Sequence, residues 1–320
     1  MDGVITVRPA RSTEIAALAQ RVAQRLPDVM AHLGRRERLE GHLSSLIPDQ
    51  CLYVATMDNQ LAGMGAVDLD HARLLALFVD PDIASGKTAP RLLAALENHA
   101  LKFGVRHLGG AARKNSARLL ESLGYRCQPF PGHPEKMVVG RSLVDQASAE
   151  TRRIMQICDE LEIPQSYGAK RRLPIVPEAR EREYIGDDLF GRPQYLLTEA
   201  GLALKRMIQA AQRNGVEILL VSAYRSIAYQ ANLVRRKLQQ GQSMDEVLAV
   251  SAAPGYSEHH SARAVDLTTR GIRPLEEEFA HTDAYQWLLG NAAAFGFRES
   301  FQAHNRHGIA WEPWHWYYHR

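Results

Sequence analysis

Three cysteines in 320 residues, Cys51, Cys127 and Cys158, are too few and too widely spaced for a disulfide framework. With no CxxC pair among them, a thiolate zinc site is excluded as well, and the three read as buried or inert. No run of about 18 apolar residues occurs, so no membrane-spanning helix is expected. The opening stretch MDGVITVRPARSTEIAALAQ lacks a basic leader followed by an apolar core and a small-residue cleavage site, which makes a cytoplasmic location the expectation. Charge of one sign never accumulates. The 39 Lys and Arg interleave with 36 Asp and Glu to a net charge of +3, leaving no footprint for nucleic acid or a membrane surface. Small or peptide-like partners are expected instead, and nothing in the composition sets an oligomeric state.

What the chain does have is length and apolar content. At 320 residues and 45% hydrophobic, it can bury more than one core, so two domains are expected. Strand and helix signals alternate from residue 4 to 145. ITVRPA precedes an amphipathic STEIAALAQRVAQRL and RERLEGHLSSLI, and the apolar runs CLYVATMD and LAGMGAVDLD join at Asn59-Gln60. The strands RLLALFVDP, VRHLGGAA and KMVVGRSL then alternate with the helices PRLLAALENHALKFG and SARLLESLG, and Gly104 and Gly124 sit where helices should stop. Residues 1–145 therefore read as one domain. Residues 146–184, polar and interrupted by prolines, read as a leading helix and a linker. Residues 185–320 read as a second domain in which helices come first and strands later. The class is α+β for the chain as a whole.

Two segments of the second domain concentrate ionisable residues. PGYSEHHSARAVDL carries His259, His260 and Asp266, and WEPWHWYYHR carries Glu312 and His315. A catalytic zinc takes three protein ligands of His, Asp, Glu or Cys type and leaves a fourth position for water. His259, Asp266 and His315 supply such a set. Glu312 is placed to reach that water, and Arg225 in SAYRS supplies a positive charge for an oxyanion or a substrate carboxylate. The same residues have a plainer reading: a His pair in a polar loop is commonly solvated, and Trp311, Trp314 and Trp316 are commonly packing residues. Taken alone, the residues give a candidate metal site.

The two segments resemble the SxHxxGxAxD and ExWH elements of the zinc D-alanyl-D-alanine carboxypeptidases of the VanY type. SAYRS with Gln230, the His–Asp motif, WLLGNAAAFGF and GIAWEPWHW fall in that family's order, over about residues 185 to 319. The resemblance implies that His259, Asp266 and His315 bind zinc and that Glu312 is the catalytic base. It implies further that Arg225 contacts the reacting carbonyl or carboxylate, and that Ser257, Gln230 and Trp314 line the substrate pocket. The implied reaction is hydrolysis of a C-terminal D-amino acid, of D-Ala-D-Ala type, from a cell-wall-type peptide. Two positions depart from the pattern. The motif glycine is Ala262, and Tyr317 stands where the family often has an arginine.

The order LFVDPDIASGKTAPRLLAALENHA then KNSARLLESLGYRC is similar to the GNAT N-acetyltransferases, in which loop amides ahead of a long helix cradle the pyrophosphate of acetyl-CoA. The (Q/R)xxGx(G/A) positions fall on Ala84, Lys87 and Ala89, with Gly86 adjacent, so Gly86, Lys87 and Ala89 are the residues implied for acetyl-CoA. Leu120 stands where a catalytic tyrosine is often found. Two other readings of the whole chain stay open: an acetyl-CoA-dependent N-acetyltransferase using the second domain to recognise peptide, and a non-catalytic zinc-binding module.

Overall fold

A computed structural model of the protein describes residues 4–25 and 36–319. Contacts divide the chain into two units, Met1–Ala147 and Ser148–Arg320.

In the first unit, the apolar runs become strands β1 (Ile5–Pro9), β2 (Leu52–Met57), β3 (Gln60–Asp68) and β4 (Arg73–Val79), followed by β5 (His107–Arg113), β6 (Arg126–Phe130) and β7 (His133–Ser142). Among the described residues they form one sheet of order β1-β2-β3-β4-β5-β7-β6. Every neighbouring pair is antiparallel except β4 and β5, which run parallel and are in register only at Arg73 and Gly109. Helices α1 (Ile15–Arg25), α2 (Arg36–Ser45), α3 (Thr88–Lys102) and α4 (Lys114–Ser122) complete the unit. Leu26, expected to continue α1, lies outside the described residues. The β2–β3 turn falls one residue earlier than expected, on Asp58 and Asn59, whose φ values of 50° and 63° suit a tight hairpin turn.

Helix α1 lays Ile15, Leu18 and Val22 against Leu52, Val54 and Phe78 of the sheet. Each such side chain, fully buried, contributes about 1.5–3 kcal/mol. Helix α3 lies close over β3 because Gly65 carries no side chain: a Cβ there would stand 2.6 Å from Leu96 Cδ1.

The second unit contains helices α5 (Ala149–Glu160), α6 (Tyr167–Arg171), α7 (Thr198–Arg213), α8 (Ile227–Gln239), α9 (Met244–Ala249) and α10 (Asp283–Asn291). Its strands are β8 (Glu183–Asp187), β9 (Pro193–Leu196), β10 (Leu219–Ser222), β11 (Ala264–Thr268), β12 (Phe297–Glu299) and β13 (His315–Tyr318). The last four form an antiparallel sheet of order β10-β11-β13-β12. Strand β11 is buried along its whole length, including the polar Asp266 and Thr268. Phe297, Leu267, Met207 and Leu288 fill the core on one side.

The expected leading helix is α5, but the stretch after it, expected as a linker, is packed into the fold. Ile154, Cys158, Leu161, Ile163, Tyr167 and Leu173 belong to a core shared with Ile227, Val234 and Phe301. Beyond them the backbone runs along the motif loop, with the Val176 N–H donating to Gly255 O at 2.7 Å and the Ala179 N–H to His260 O at 2.8 Å. Prolines broke the periodicity here, yet the backbone groups found partners across the fold instead of in a helix. The hairpin β8–β9 was likewise hidden within this polar stretch.

Candidate active site

Asp266 and His315 face each other as register partners on adjacent antiparallel strands, β11 and β13. Directly opposed side chains on such strands lie within contact distance, so the topology alone joins two remote segments. His259 arrives from the short 3₁₀ turn Glu258–Ser261 that leads into β11. Among the described residues, these three form the one group able to hold a metal ion, with one ligand atom from each inside a 4.8 Å span. His259 Nε2 lies 3.2 Å and His315 Nδ1 3.1 Å from the same oxygen, Asp266 Oδ1. All three side chains are buried.

The outer faces of both imidazoles are also occupied. His259 Nδ1 meets the carbonyl of Ala223 just past β10, and His315 Nε2 lies 2.8 Å from Glu258 Oε2, which also accepts from Ser300 Oγ at 2.7 Å. Acceptors at these positions fix ring orientation and direct the inner nitrogens at a common point. The donor set of two imidazoles and one carboxylate fits a divalent zinc ion with open coordination positions.

The electrostatics follow from burial of charge. Burial alone would raise the Asp266 carboxyl, but the charges of His259 and Arg225 and the histidine hydrogen bonds hold it well below the ordinary range. Burial and the nearby Arg225 guanidinium push His259 down to about 4, leaving a neutral ring. For His315, burial acts downward, yet hydrogen bonds to Asp266 and Glu258 push it up to about 10. A cation ligated at Nδ1 must displace that proton. Burial drives Glu312 up to about 7, with Asp266 and Glu258 adding to the rise against His315 and Arg225. A carboxyl poised there suits proton transfer at neutral pH.

A cavity of about 830 Å³ opens onto these groups. It is lined by every residue given a role at this site from the sequence: Arg225, Glu312, Ser257, Gln230 and Trp314, besides the three candidate ligands. Arg225 donates to Asp266 and, through Nε, to Ser222 Oγ at 3.0 Å. It sits just before α8, whose cap Ser226 accepts from the Tyr229 N–H. Gln230 is buried, with Nε2 on Ala252 O at 2.8 Å and Oε1 unpaired among the described residues.

His260 stands apart from the ligand set. Its Nε2 accepts from the Gly255 N–H at 3.0 Å, so Nδ1 carries the proton donated to Arg225 O at 2.7 Å, and the ring ties the motif loop to the Arg225 segment. Ala262, at φ 53°, does occupy the left-handed region that the family's glycine suits.

Sequence reasoning missed Glu258, Lys237 and Glu178. Glu258 stands directly before His259, and an acid beside a candidate ligand was the available signal. Lys237 lines the cavity with Nζ on Ser251 Oγ at 2.8 Å, and burial lowers its pKa. Glu178, within the supposed linker, accepts from the Ile227 N–H at 2.6 Å and from Tyr224 Oη at 3.0 Å, fixing the turn that carries Arg225.

Residues 193–320 match the family model described as D-alanyl-D-alanine carboxypeptidase, VanY. The second unit carries a VanY-type domain. Residues 27–135 match the acetyltransferase (GNAT) domain, so the first unit carries a GNAT domain. YodJ of Bacillus subtilis (strain 168), named as a carboxypeptidase, is 34% identical over 126 residues, covering 38% of this chain and 45% of that protein. A D-alanyl-D-alanine carboxypeptidase of Enterococcus faecalis (strain ATCC 700802 / V583) is 30% identical over 125 residues, 36% of this chain and 45% of that one. The chain thus spans less than half the length of these curated relatives. Among solved structures, the LD-carboxypeptidase LdcB is similar at 29% identity and a TM-score of 0.41, over 44% of this chain and 69% of that one.

In the GNAT domain, the loop before α3 bonds within itself at Ser85, Lys87 and Thr88. The Ser85 N–H donates to Thr88 Oγ1 at 3.2 Å, Lys87 N–H to Ser85 Oγ at 3.3 Å, and Thr88 N–H to Ser85 O at 3.0 Å. Of the positions implied for acetyl-CoA, the Lys87 amide is therefore engaged, whereas a pyrophosphate cradle needs free N–H groups. Gly86, by contrast, stands open, with nothing within 4 Å of the place a Cβ would take. Leu120 is buried on α4, where it packs. No helix among the described residues is long and apolar enough to cross a membrane.

Proposed function

We propose that the second unit is a zinc-dependent carboxypeptidase that releases a C-terminal D-amino acid from a cell-wall-type peptide. The observation that carries this reading is the convergence of His259 Nε2 and His315 Nδ1 on Asp266 Oδ1, with both outer nitrogens already held and Glu312 raised to about 7 beside them. His259, Asp266 and His315 would hold the ion; when bound, zinc supplies a Lewis acid for the scissile carbonyl and acidifies water to a pKa of about 7. Glu312 accepts a proton from the attacking water and passes it to the departing amine. The new C–O bond replaces the broken C–N bond, giving a shortened peptide and a free amino acid. Arg225 faces the negative charge that develops on the carbonyl oxygen, held in place by Ser222 and by its own backbone bond to His260. Lys237 supplies a half-buried cation within the same cavity for the substrate's terminal carboxylate.

The test is amino-acid release, followed by mass spectrometry, from D-Ala-D-Ala, a tetrapeptide stem and a pentapeptide stem. Zinc-loaded wild type should release a D-amino acid from at least one. Glu312→Gln should bind zinc stoichiometrically and turn over about 10²–10⁴-fold more slowly, the range for losing a general base. Unchanged turnover by Glu312→Gln would remove the assigned base, and a wild type inactive on all three would overturn the substrate class.

A further inference from the structure

A second cavity, of about 710 Å³, opens beside the first, and Arg192, Ser222, Arg225 and Tyr229 line both. Arg180 and Arg182 extend its cationic wall, and both precede the residues that match the VanY family model. Among the described residues no carboxylate lines it. Asp188 is committed to Arg192 and Gln194, and Glu178 to Tyr224 and the Ile227 N–H.

The arginines themselves retain donors. Arg180 is exposed and has no partner among the described residues. Arg182 stacks over the Tyr224 ring at 4.1 Å and uses one terminal nitrogen on Ala179 O. Arg192 uses Nε and one terminal nitrogen, on Asp188 and Val221 O. Stacking and backbone bonds hold two of these side chains in place before any ligand arrives, which reduces the ordering cost of binding.

Resting on the carboxypeptidase reading, we propose that this arginine groove selects an acidic peptide, binding a carboxylate carried by the substrate on the amino side of the scissile bond. Lys237 occupies the first cavity, away from the groove lining, so the groove recognises a second anion distinct from the terminal carboxylate. D-Ala-D-Ala itself carries no such anion.

The test compares two pentapeptide substrates that differ only in one side chain amino-terminal to the cleaved bond, a free carboxylate in one and its amide in the other. For zinc-loaded full-length protein, kcat/KM should favour the acidic peptide by about tenfold or more, the worth of one charge-assisted hydrogen bond. In Arg180→Gln/Arg182→Gln that ratio should fall towards one. Equal rates with the wild type, or a ratio retained by the double variant, would overturn the proposal. If neither peptide is cleaved, the carboxypeptidase reading fails, and fluorescence anisotropy of the same labelled peptides decides the groove separately. Tighter binding of the acidic peptide, lost in the double variant, supports it; equal binding of the two overturns it.

Discussion

Asp80 and Asp266 are both buried aspartates facing arginines, one in each unit, and their surroundings differ in one respect. Asp80 accepts from Arg21 and from the Asp82 N–H, with Arg25 alongside, so that its charge is balanced by groups of its own domain. Asp266 accepts from Arg225, but two imidazole nitrogens also converge on one of its oxygens, and the neutral His259 ring, whose Nδ1 proton goes to Ala223 O, turns a lone pair toward it, an arrangement a lone structural ion pair does not need. In the GNAT loop before α3, the Ser85 and Lys87 amides bond within the loop in the same self-contained way. A ligand site is distinguished by polar groups that the fold orients but leaves with capacity to spare. Burial by itself does not mark one.

Paired substitutions break or sharpen this contrast. Asp266→Ala leaves the part-buried Arg225 without its carboxylate, which should cost about 1–3 kcal/mol, and it removes a candidate metal ligand. Added zinc should therefore raise the unfolding temperature of wild type and leave Asp266→Ala unmoved. Asp80→Ala should cost less, since Arg21 and Arg25 reach solvent, and should preserve the response to zinc. Burial would raise the Asp80 carboxyl, but the Asp82 N–H and Arg21 hold it below the ordinary range. Its stabilisation is accordingly present above the usual carboxylate pKa and lost as pH falls through the lowered value. Asp80→Ala should flatten the acid limb of stability measured against pH. Equal zinc responses in the two variants would erase the distinction.

The next effect is smaller. Glu258→Gln keeps the shape of the contact to His315 Nε2 but removes the charge, and zinc affinity should fall about 10–100-fold with the fold retained. Competition with a chelator of known affinity measures this, and an unchanged affinity would reduce Glu258 to packing.

Ala262→Gly is the smallest. Relief of the left-handed conformation should gain about 1 kcal/mol, offset by the loss of a buried methyl, so the urea midpoint should rise slightly or hold. A clear drop would mean that the methyl contacts outweigh the strain.

Much of this was legible beforehand. The alternation of strand and helix signals in residues 4–145 follows from periodicity that local sequence carries, and Gly104 and Gly124 adopt the positive φ of helix stops. The ligand candidates were legible because the chemistry of zinc restricts the residue types. The stretch from 164 to 184 was not, because its prolines and charges carry no period and its partners, Gly255 O and His260 O, are remote in sequence. Glu178 and Lys237 gave no local sign for the same reason.

The sequence by itself determined which side chains can ligate, transfer protons and cap helices, since those properties belong to each residue and its near neighbours. Tertiary structure alone decided that Asp266 and His315 would be register partners, that Glu258 would hold the outer nitrogen of His315, and that Arg180 and Arg182 would line a groove shared with Arg225. Strand pairing and loop packing set those distances, and both depend on contacts between segments far apart in the chain.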